Sequence, residues 1–285
     1  MKQKKLAIFA LVLFLLPLAH SQQWTTAGKH AFASPVTNGQ PDFVLSIFKT
    51  SFVALQDNEV IVKDLQNKII RKITGYEGVI AQKRASDEVI FRYGDVSVEP
   101  SGNKMGFTTA CLPEPTPCRA YLYDPTPSSG SPSLQLVAGT GSIIDLGLNR
   151  SLKVLGLGRP LAYDGKSLYL SIDARREGTS IDESGIYRFD GKLFTLVKRH
   201  SIENQLIGSE LAVGPDQKLY YTVFRAAART RDIVKLDLAT GTEQSFLSAQ
   251  IDQFGQGGWN LYQDHTAGSV LATWVNMNLA EPWEV

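Results

Sequence analysis

Two short segments of the sequence are rich in arginine, the residue type best suited to hold an anion. The planar guanidinium group places its N–H donors where they pair with two oxygens of a carboxylate or phosphate at once. The segments cover residues 173–184 and 225–231, and each lies between two predicted strands. Two interpretations remain open: the loops are simply charged, solvated surface, or their arginines share one rim and bind an anionic ligand there. These arginines are Arg175, Arg176, Arg225, Arg229 and Arg231.

A second group of polar residues falls near the predicted starts of the innermost strands, about seven residues before each aligned turn. Polar groups gathered beside an aromatic ring are suited to a sugar or a peptide terminus. The alternative is the ordinary polar lining of a water-filled channel. The group consists of Asp95, Arg159, Glu210, Trp259 and Asn260.

The sequence contains few patterns that indicate catalysis. Ser142 and Ser209 lack the Gly-x-Ser-x-Gly pattern of a nucleophile elbow. The four histidines are not spaced as zinc ligands. We therefore assign no catalytic residue, no metal and no cofactor. Acidic residues that meet in a central funnel would still supply the carboxylate pair of a glycosidase. The candidates for that pair are Asp42, Asp95, Asp145 and Glu210.

The two cysteines, Cys111 and Cys118, enclose a short segment that contains three prolines. An even number of cysteines at short separation in an oxidising compartment predicts a disulfide. Such a small ring stabilises by about 2.5 kcal/mol through loop entropy, so we expect a local staple.

The charges of the chain nearly cancel, with 29 Lys+Arg and 28 Asp+Glu in 285 residues. This balance removes the electrostatic argument for a nucleic-acid partner. The hydrophobic fraction of 43% is enough for the core of one large domain. We expect a single domain over residues 22–285 that functions as a monomer.

The first 21 residues read as a signal peptide. Lys2, Lys4 and Lys5 precede an apolar run from Leu6 to Leu18, and Ala19-His20-Ser21 forms a small-x-small cleavage site. The apolar run is shorter than the roughly 20 residues that span a bilayer, so we expect no stable membrane insertion after cleavage. The predicted location is the periplasm or the extracellular space.

Beyond residue 22 the sequence alternates short β-branched and aromatic runs with turn residues, which predicts an all-β fold. Residues 43–74 contain four such runs and predict one four-stranded meander. A turn followed by a strand returns at residues 100–108, 163–171 and 215–222, with a weaker copy at 266–273. The period of about 50 to 60 residues is typical of propellers.

We predict a β-propeller of about five four-stranded blades, because radial packing buries the two apolar faces of each sheet. The last unit ends at Val285 after one or two strands. Either N-terminal strands complete it, or the chain is an incomplete part of a six- or seven-bladed propeller.

Three stretches, Glu99–Thr108, Pro215–Thr222 and Ile186–Gly191, resemble the repeat of TolB-like, WD40-like periplasmic propellers. The resemblance covers roughly residues 95–275 and implies a propeller fold. Such repeats serve envelope adaptors, peptidase gating domains and carbohydrate-active proteins alike, so it implies no single activity.

The function we expect from the sequence is that of a non-catalytic platform. It would bind a protein partner or an envelope or extracellular glycan. The alternative is a carbohydrate-active enzyme, either a glycoside hydrolase or a lyase, with its carboxylates in the central funnel.

Overall fold

The structure is a computed structural model, and strands are the only regular elements in the part of the chain that it describes. None of the described segments forms a helix long and apolar enough to cross a membrane. The described residues are 43–48, 51–56, 59–64, 66, 68–73, 88–90, 96–99, 104–111, 116–125, 130–199, 205–214, 216–250, 258–264 and 269–275.

The first sheet combines strands from both ends of the described chain, in the order β20-β19-β1-β2-β3-β4. Strands β1 to β4 form an antiparallel meander, whereas β1 pairs with β19 in parallel. The strands are β1 (Phe43–Phe48), β2 (Ser51–Gln56), β3 (Glu59–Asp64), β4 (Ile69–Ile73), β19 (Gly258–Asp264) and β20 (Ser269–Val275).

The second sheet is an antiparallel meander in which two short strands, β5 and β6, both pair with β7. Its order is β5-β7-β8-β9, with β6 beside β7. The strands are β5 (Glu88–Ile90), β6 (Val96–Val98), β7 (Met105–Cys111), β8 (Thr116–Asp124) and β9 (Ser133–Gly139).

The third and fourth sheets are antiparallel and follow the chain order strand by strand. The third contains β10 (Ile143–Asp145), β11 (Ser151–Tyr163), β12 (Leu168–Arg176), β13 (Gly185–Phe189) and β14 (Phe194–Arg199). The fourth contains β15 (Gln205–Val213), β16 (Lys218–Arg225), β17 (Thr230–Asp237) and β18 (Glu243–Gln250).

Alternate residues of a central strand pack into different hydrophobic clusters. On β12, Leu168, Leu170 and Ile172 join a cluster shared with the second sheet. Tyr169, between them, joins a cluster shared with the fourth sheet. Side chains of a strand point alternately to the two faces of its sheet, so a strand that is apolar throughout must be covered on both faces.

Four such clusters connect the sheets in a cyclic order. They join the first sheet to the second, the second to the third, the third to the fourth, and the fourth back to the first. Large aromatic residues lie at their centres, including Tyr123, Tyr187 and Tyr221. The all-β composition predicted from the sequence is confirmed, and the four packed sheets are consistent with a propeller-like fold.

The meander predicted over residues 43–74 is present as β1–β4. It does not stand alone, because Ser46 and Ile47 of β1 pair with Gln263 and Asp264 of β19. The N-terminal meander and the strands β19 and β20 therefore belong to one sheet.

The disulfide predicted from the sequence fits the structure. Cys111 ends β7 and Cys118 lies in β8, with their Cα atoms 5.7 Å apart. The bond ties two adjacent strands together where the chain crosses between them. It is therefore a local cross-link in a sheet that backbone hydrogen bonds between β7 and β8 already hold together.

The Cys111→Ser/Cys118→Ser double variant should fold and lose about 2.5 kcal/mol of unfolding free energy, because the unfolded chain regains the entropy of the ring. Urea denaturation of the oxidised and double-variant proteins measures the difference. Adding a reductant to the wild type should reproduce the loss, and a reductant effect on the double variant itself would contradict this origin.

Candidate functional site

One end of the third sheet gathers the termini of four strands. The register pairs Leu152 of β11 with Arg176 of β12, and Gly185 of β13 with Ile172 of β12 and Arg199 of β14. Residues just before β11, at the end of β12, just before β13 and at the end of β14 are therefore neighbours. Charged residues occupy each of these places.

A buried glutamate lies at the centre of this end. The Glu183 side chain is only 1% exposed, and three guanidinium groups, each about half exposed, surround it. Arg176 contacts Oε1 through Nε at 3.0 Å and Nη2 at 2.6 Å. Arg150 donates from Nη2 to Oε2 at 3.1 Å, and Nη2 of Arg199 lies 3.5 Å from the same oxygen. We call these three residues the arginine cluster.

The backbone around Glu183 is fixed on both sides. Its N–H donates to the carbonyl of Ala174 at 2.9 Å, and its own carbonyl accepts a hydrogen bond from the Tyr187 hydroxyl. Burial raises the pKa of the Tyr187 phenol, so this group remains a neutral donor at physiological pH. These hydrogen bonds fix the backbone segment that carries the carboxylate.

Gly185 allows the strands to approach each other at the same end. A Cβ at this position would run into the backbone carbonyl of Lys198 on β14. The close approach brings the end of β14, and with it Arg199, toward Glu183. A glycine at the start of β13 is thus part of how the cluster is built.

The cluster has a surplus of positive charge. Three guanidinium groups face one carboxylate, and a guanidinium carries five N–H donors. Glu183 occupies only a few of these donors. The exposed remainder suits an incoming carboxylate or phosphate, because charge-assisted hydrogen bonds to guanidinium groups are among the strongest in proteins.

A pocket of about 620 Å³ lies beside the cluster. Its volume falls in the range of small-molecule sites. Ser151 at its edge donates a hydrogen bond of 2.8 Å from Oγ to Oε2 of Glu177. Among the described residues, no group of three or more His, Cys, Asp or Glu side chains is placed to hold a metal ion. The lining residues are Asn149, Arg150, Ser151, Leu152, Arg176, Glu177 and Gly178.

The structure places the five arginines of the predicted rim in two different sheets. Arg176 belongs to the arginine cluster, and Arg175, exposed beside it, forms a β-bridge with Asp182. In the fourth sheet Arg225 is paired with Asp232, Arg229 lies exposed in the turn after β16 with φ 52°, and Arg231 is half-buried on β17.

Sequence reasoning missed Arg150, Glu183 and Arg199. Glu183 follows Arg176 by seven residues in a loop with several other charged residues, so only its burial distinguishes it. Arg150 and Arg199 come from segments far apart in the chain.

The pair of Arg225 and Asp232 repeats the same design in the fourth sheet. Asp232 is buried, and it also accepts hydrogen bonds from Ser248 at 2.7 Å and Ser245 at 3.2 Å. Arg225 and Asp232 are seven residues apart in the sequence, as are Arg176 and Glu183. The disulfide of the second sheet has the same separation of seven.

Three successive sheets thus carry a cross-link across one loop each, between β7 and β8, between β12 and β13, and between β16 and β17. It is covalent in the second sheet and ionic in the third and fourth. Arg176 and Arg225 are therefore used at least in part to fix their own loops.

The second predicted group falls on irregular parts of the strands predicted to be innermost. In β11, residues 158–160, which include Arg159, interrupt the pairing opposite Ser171. In β15, residues 208–210, which include Glu210, do the same opposite Thr222. Bulges of this kind redirect side chains and are frequent beside functional sites.

The second sheet shows a related break, since β5 and β6 pair with β7 on either side of Thr108. Asp95 falls between these two strands and lies outside the described residues. Thr108, Ser171 and Thr222 are all buried. Each break thus lies opposite a buried hydroxyl group.

Trp259 and Asn260 lie on β19, opposite Trp274 and Thr273 of β20. The structure describes the backbone of these two residues, as it does for Arg159 and Glu210. Of the acidic residues considered for a glycosidase pair, Asp145 ends β10, and its Oδ1 accepts a hydrogen bond from the Gly147 N–H at 2.7 Å. Asp42 lies outside the described residues.

No protein-family model matches the chain, and no curated protein matches it significantly. Among solved structures, an oligogalacturonate lyase in complex with manganese is 15% identical, with a TM-score of 0.44 over 83% of this chain and 61% of that one. An oligogalacturonate lyase from Vibrio parahaemolyticus is 12% identical, with a TM-score of 0.42 over 87% of this chain and 66% of that one.

The β-propeller domain of the trilobed protease from Pyrococcus furiosus is 11% identical, with a TM-score of 0.32 over 73% of this chain and 70% of that one. The chain spans 61% and 66% of the length of the two lyases. These likenesses are too distant to assign an activity.

Acid should remove the contribution of Asp232 to stability. Burial favours the neutral acid, but hydrogen bonds from Ser248, Arg225 and Thr230 outweigh it and lower the pKa of Asp232 below 3.8. A lowered folded-state pKa stabilises above the unfolded pKa of about 3.9, and this stabilisation is lost as the pH falls through the folded value.

We expect Asp232→Asn to cost about 2 kcal/mol at pH 7 and progressively less below about pH 4. Urea midpoints measured from pH 7 to pH 2 provide the comparison. Asp173→Asn, which removes an exposed carboxylate of β12, should cost little at any pH. A penalty for Asp232→Asn that is constant with pH would contradict the ionic origin.

Proposed function

We propose that this protein is an exported binding module that captures an acidic ligand, on a protein or a glycan, at the arginine cluster. The observation that carries this proposal is the convergence of Arg150, Arg176 and Arg199 on the single buried carboxylate of Glu183. One anion organises three cations and leaves a surplus of positive charge at the surface.

The geometry favours binding over a purely structural role for these arginines. A structural ion pair needs one guanidinium for one carboxylate, as in the Arg225–Asp232 pair. Here three half-exposed guanidinium groups share one buried acid, and their like charges repel each other. An acidic ligand would supply the missing negative charge, and the adjacent pocket offers room for it.

Glu183 itself is unsuited to acid–base catalysis. Both of its oxygens are occupied by guanidinium groups, and the side chain is 1% exposed. A general acid or base must lie within hydrogen-bond reach of the reacting group. We therefore assign Glu183 the role of a positioning residue.

The proposal includes the wider arrangement of the chain. Because β19 and β20 lie in the same sheet as β1–β4, we propose a ring of four blades, one for each described sheet, in which the β1–β19 pair joins the two ends. We propose further that residues 1–21 are removed on export and that the mature monomer works in the periplasm or outside the cell. The signal pattern and the disulfide support this location.

Replacing Arg150 or Arg199 with Met should weaken binding of an acidic polymer by about tenfold or more, because each change removes a charge-assisted hydrogen bond. Isothermal titration with poly-glutamate and with polygalacturonate measures the effect. Tighter binding of poly-glutamate indicates a protein ligand, and tighter binding of polygalacturonate indicates a glycan ligand.

The matched control is Lys192→Met, which removes an exposed cation from the turn between β13 and β14, at the opposite end of the same sheet. This variant should bind as the wild type does. The same loss in all three variants would show a general charge effect and refute a site at the cluster.

One observation favours a second candidate function. The strands predicted to be innermost are interrupted at Arg159 and Glu210, and β5 and β6 leave a gap in the pairing with β7. The residues opposite these three breaks, Ser171, Thr222 and Thr108, are buried. Bulged strands that bring acidic residues to one site would suit a carbohydrate-active enzyme with Asp95 and Glu210 as its carboxylate pair.

For this second candidate, the wild type should release new chain ends from a polysaccharide, and Asp95→Asn and Glu210→Gln should each lower the rate by about a hundredfold or more. Reducing-end and ultraviolet assays over a polysaccharide panel distinguish hydrolase from lyase. Asp190→Asn, which removes an exposed carboxylate from the turn between β13 and β14, is the control and should retain the wild-type rate. Absence of chain cleavage across the panel would exclude the candidate.

A further inference from the structure

The lining of the pocket beside the arginine cluster combines groups of different chemistry. Arg150 and Arg176 supply cationic donors. Asn149, Ser151 and Glu177 supply an amide, a hydroxyl and a carboxylate. A site that only needed to hold an anion would gain nothing from a second carboxylate, since Glu177 repels any negative charge placed near it.

The carboxylate of Glu177 is exposed and has an acceptor to spare. Among the described contacts, only Oε2 is engaged, by the Ser151 hydroxyl at 2.8 Å. A ligand that covers Glu177 must therefore bring hydrogen-bond donors of its own, because a desolvated carboxylate without partners is costly. Sugar hydroxyl groups are such donors.

The turn that leads into the pocket holds an unusual conformation. Leu148 and Asn149 have φ values of 53° and 58°, and the Leu148 side chain is 97% exposed. Left-handed backbone is rare for leucine, and such strain is found at ligand clamps. The Arg150 N–H bonds the Gly147 carbonyl at 3.0 Å, which fixes the turn. Asn149 of this turn lines the pocket, so the turn fixes the position of one of its polar groups.

We propose that this pocket binds an acidic sugar, a pyranose that carries one carboxylate and adjacent hydroxyl groups. The sugar carboxylate pairs with the exposed guanidinium donors of Arg150 and Arg176. Its hydroxyl groups donate to Glu177 and exchange hydrogen bonds with Asn149. This inference rests on the proposed function, and it narrows the acidic ligand to a uronate-type glycan.

The same arrangement disfavours the other anions. A phosphate carries more negative charge close to Glu177, and an acidic peptide brings several carboxylates near it. Glu177 therefore repels both kinds of ligand. Selectivity therefore depends on Glu177, whereas affinity for anions in general depends on the arginines.

Isothermal titration with galacturonate oligosaccharides, the matching neutral galactose oligosaccharides, poly-glutamate and inorganic phosphate tests the assignment. The wild type should bind the uronate oligosaccharide at least tenfold more tightly than any of the other three. Glu177→Gln should lose about tenfold in affinity for the uronate and gain affinity for phosphate, because a repulsive charge and a hydroxyl acceptor are both removed.

Asp173→Asn removes an exposed carboxylate of the same strand β12 that does not line the pocket, and it should leave all four affinities unchanged. Circular dichroism and urea midpoints show that each variant is folded. Poly-glutamate or phosphate binding equal to that of the uronate, with no effect of Glu177→Gln, would overturn the sugar assignment and leave the anion site intact. Absence of binding to all the anions would refute the proposed function itself.

Discussion

The structure depends on one constraint, which is that its sheets are apolar on both faces and none can bury both faces alone. The alternation along β12 shows this directly, since Leu170 packs toward one neighbouring sheet and Tyr169 toward the other. Four hydrophobic clusters satisfy the constraint by joining the sheets in a cyclic order. At about 25 cal/mol per Å² of apolar area, this burial is the dominant favourable term in folding.

Face-to-face packing buries the middles of the strands. The residue types at the strand ends are therefore less constrained by the core. The loops there carry no apolar surface that must be hidden, so charged and strained residues are tolerated. The chain uses the same position differently in successive sheets, with a disulfide at Cys111–Cys118 and ion pairs at Arg176–Glu183 and Arg225–Asp232. Each cross-link fixes a loop that the core does not reach.

In the third sheet the ion pair that fixes the loop belongs to a larger cluster of charged residues. Glu183 is buried because Arg150 and Arg199 cover it as well as Arg176, and Tyr187 holds its backbone. Removing the carboxylate would leave three cations facing each other, and removing the arginines would leave a buried charge unpaired. The cluster is therefore interdependent, which favours a preorganised site over a set of flexible surface charges.

The sequence by itself determined the elements of this protein. The alternation of apolar residues and the turn residues gave the strands, and the returning turn-and-strand pattern gave their grouping into meanders. The spacing of Cys111 and Cys118 was enough to predict their disulfide, because both partners lie in one short loop. All of these depend on local chemistry within a few residues.

Only the tertiary structure decided which residues of different segments meet. Arg150 and Arg199 are 49 residues apart in number, and only the strand register of the third sheet brings both to Glu183. The parallel pairing of β1 with β19 likewise depends on packing around the whole set of sheets. Such contacts are fixed by the burial of apolar faces, which acts over the entire chain and leaves no local pattern in the sequence.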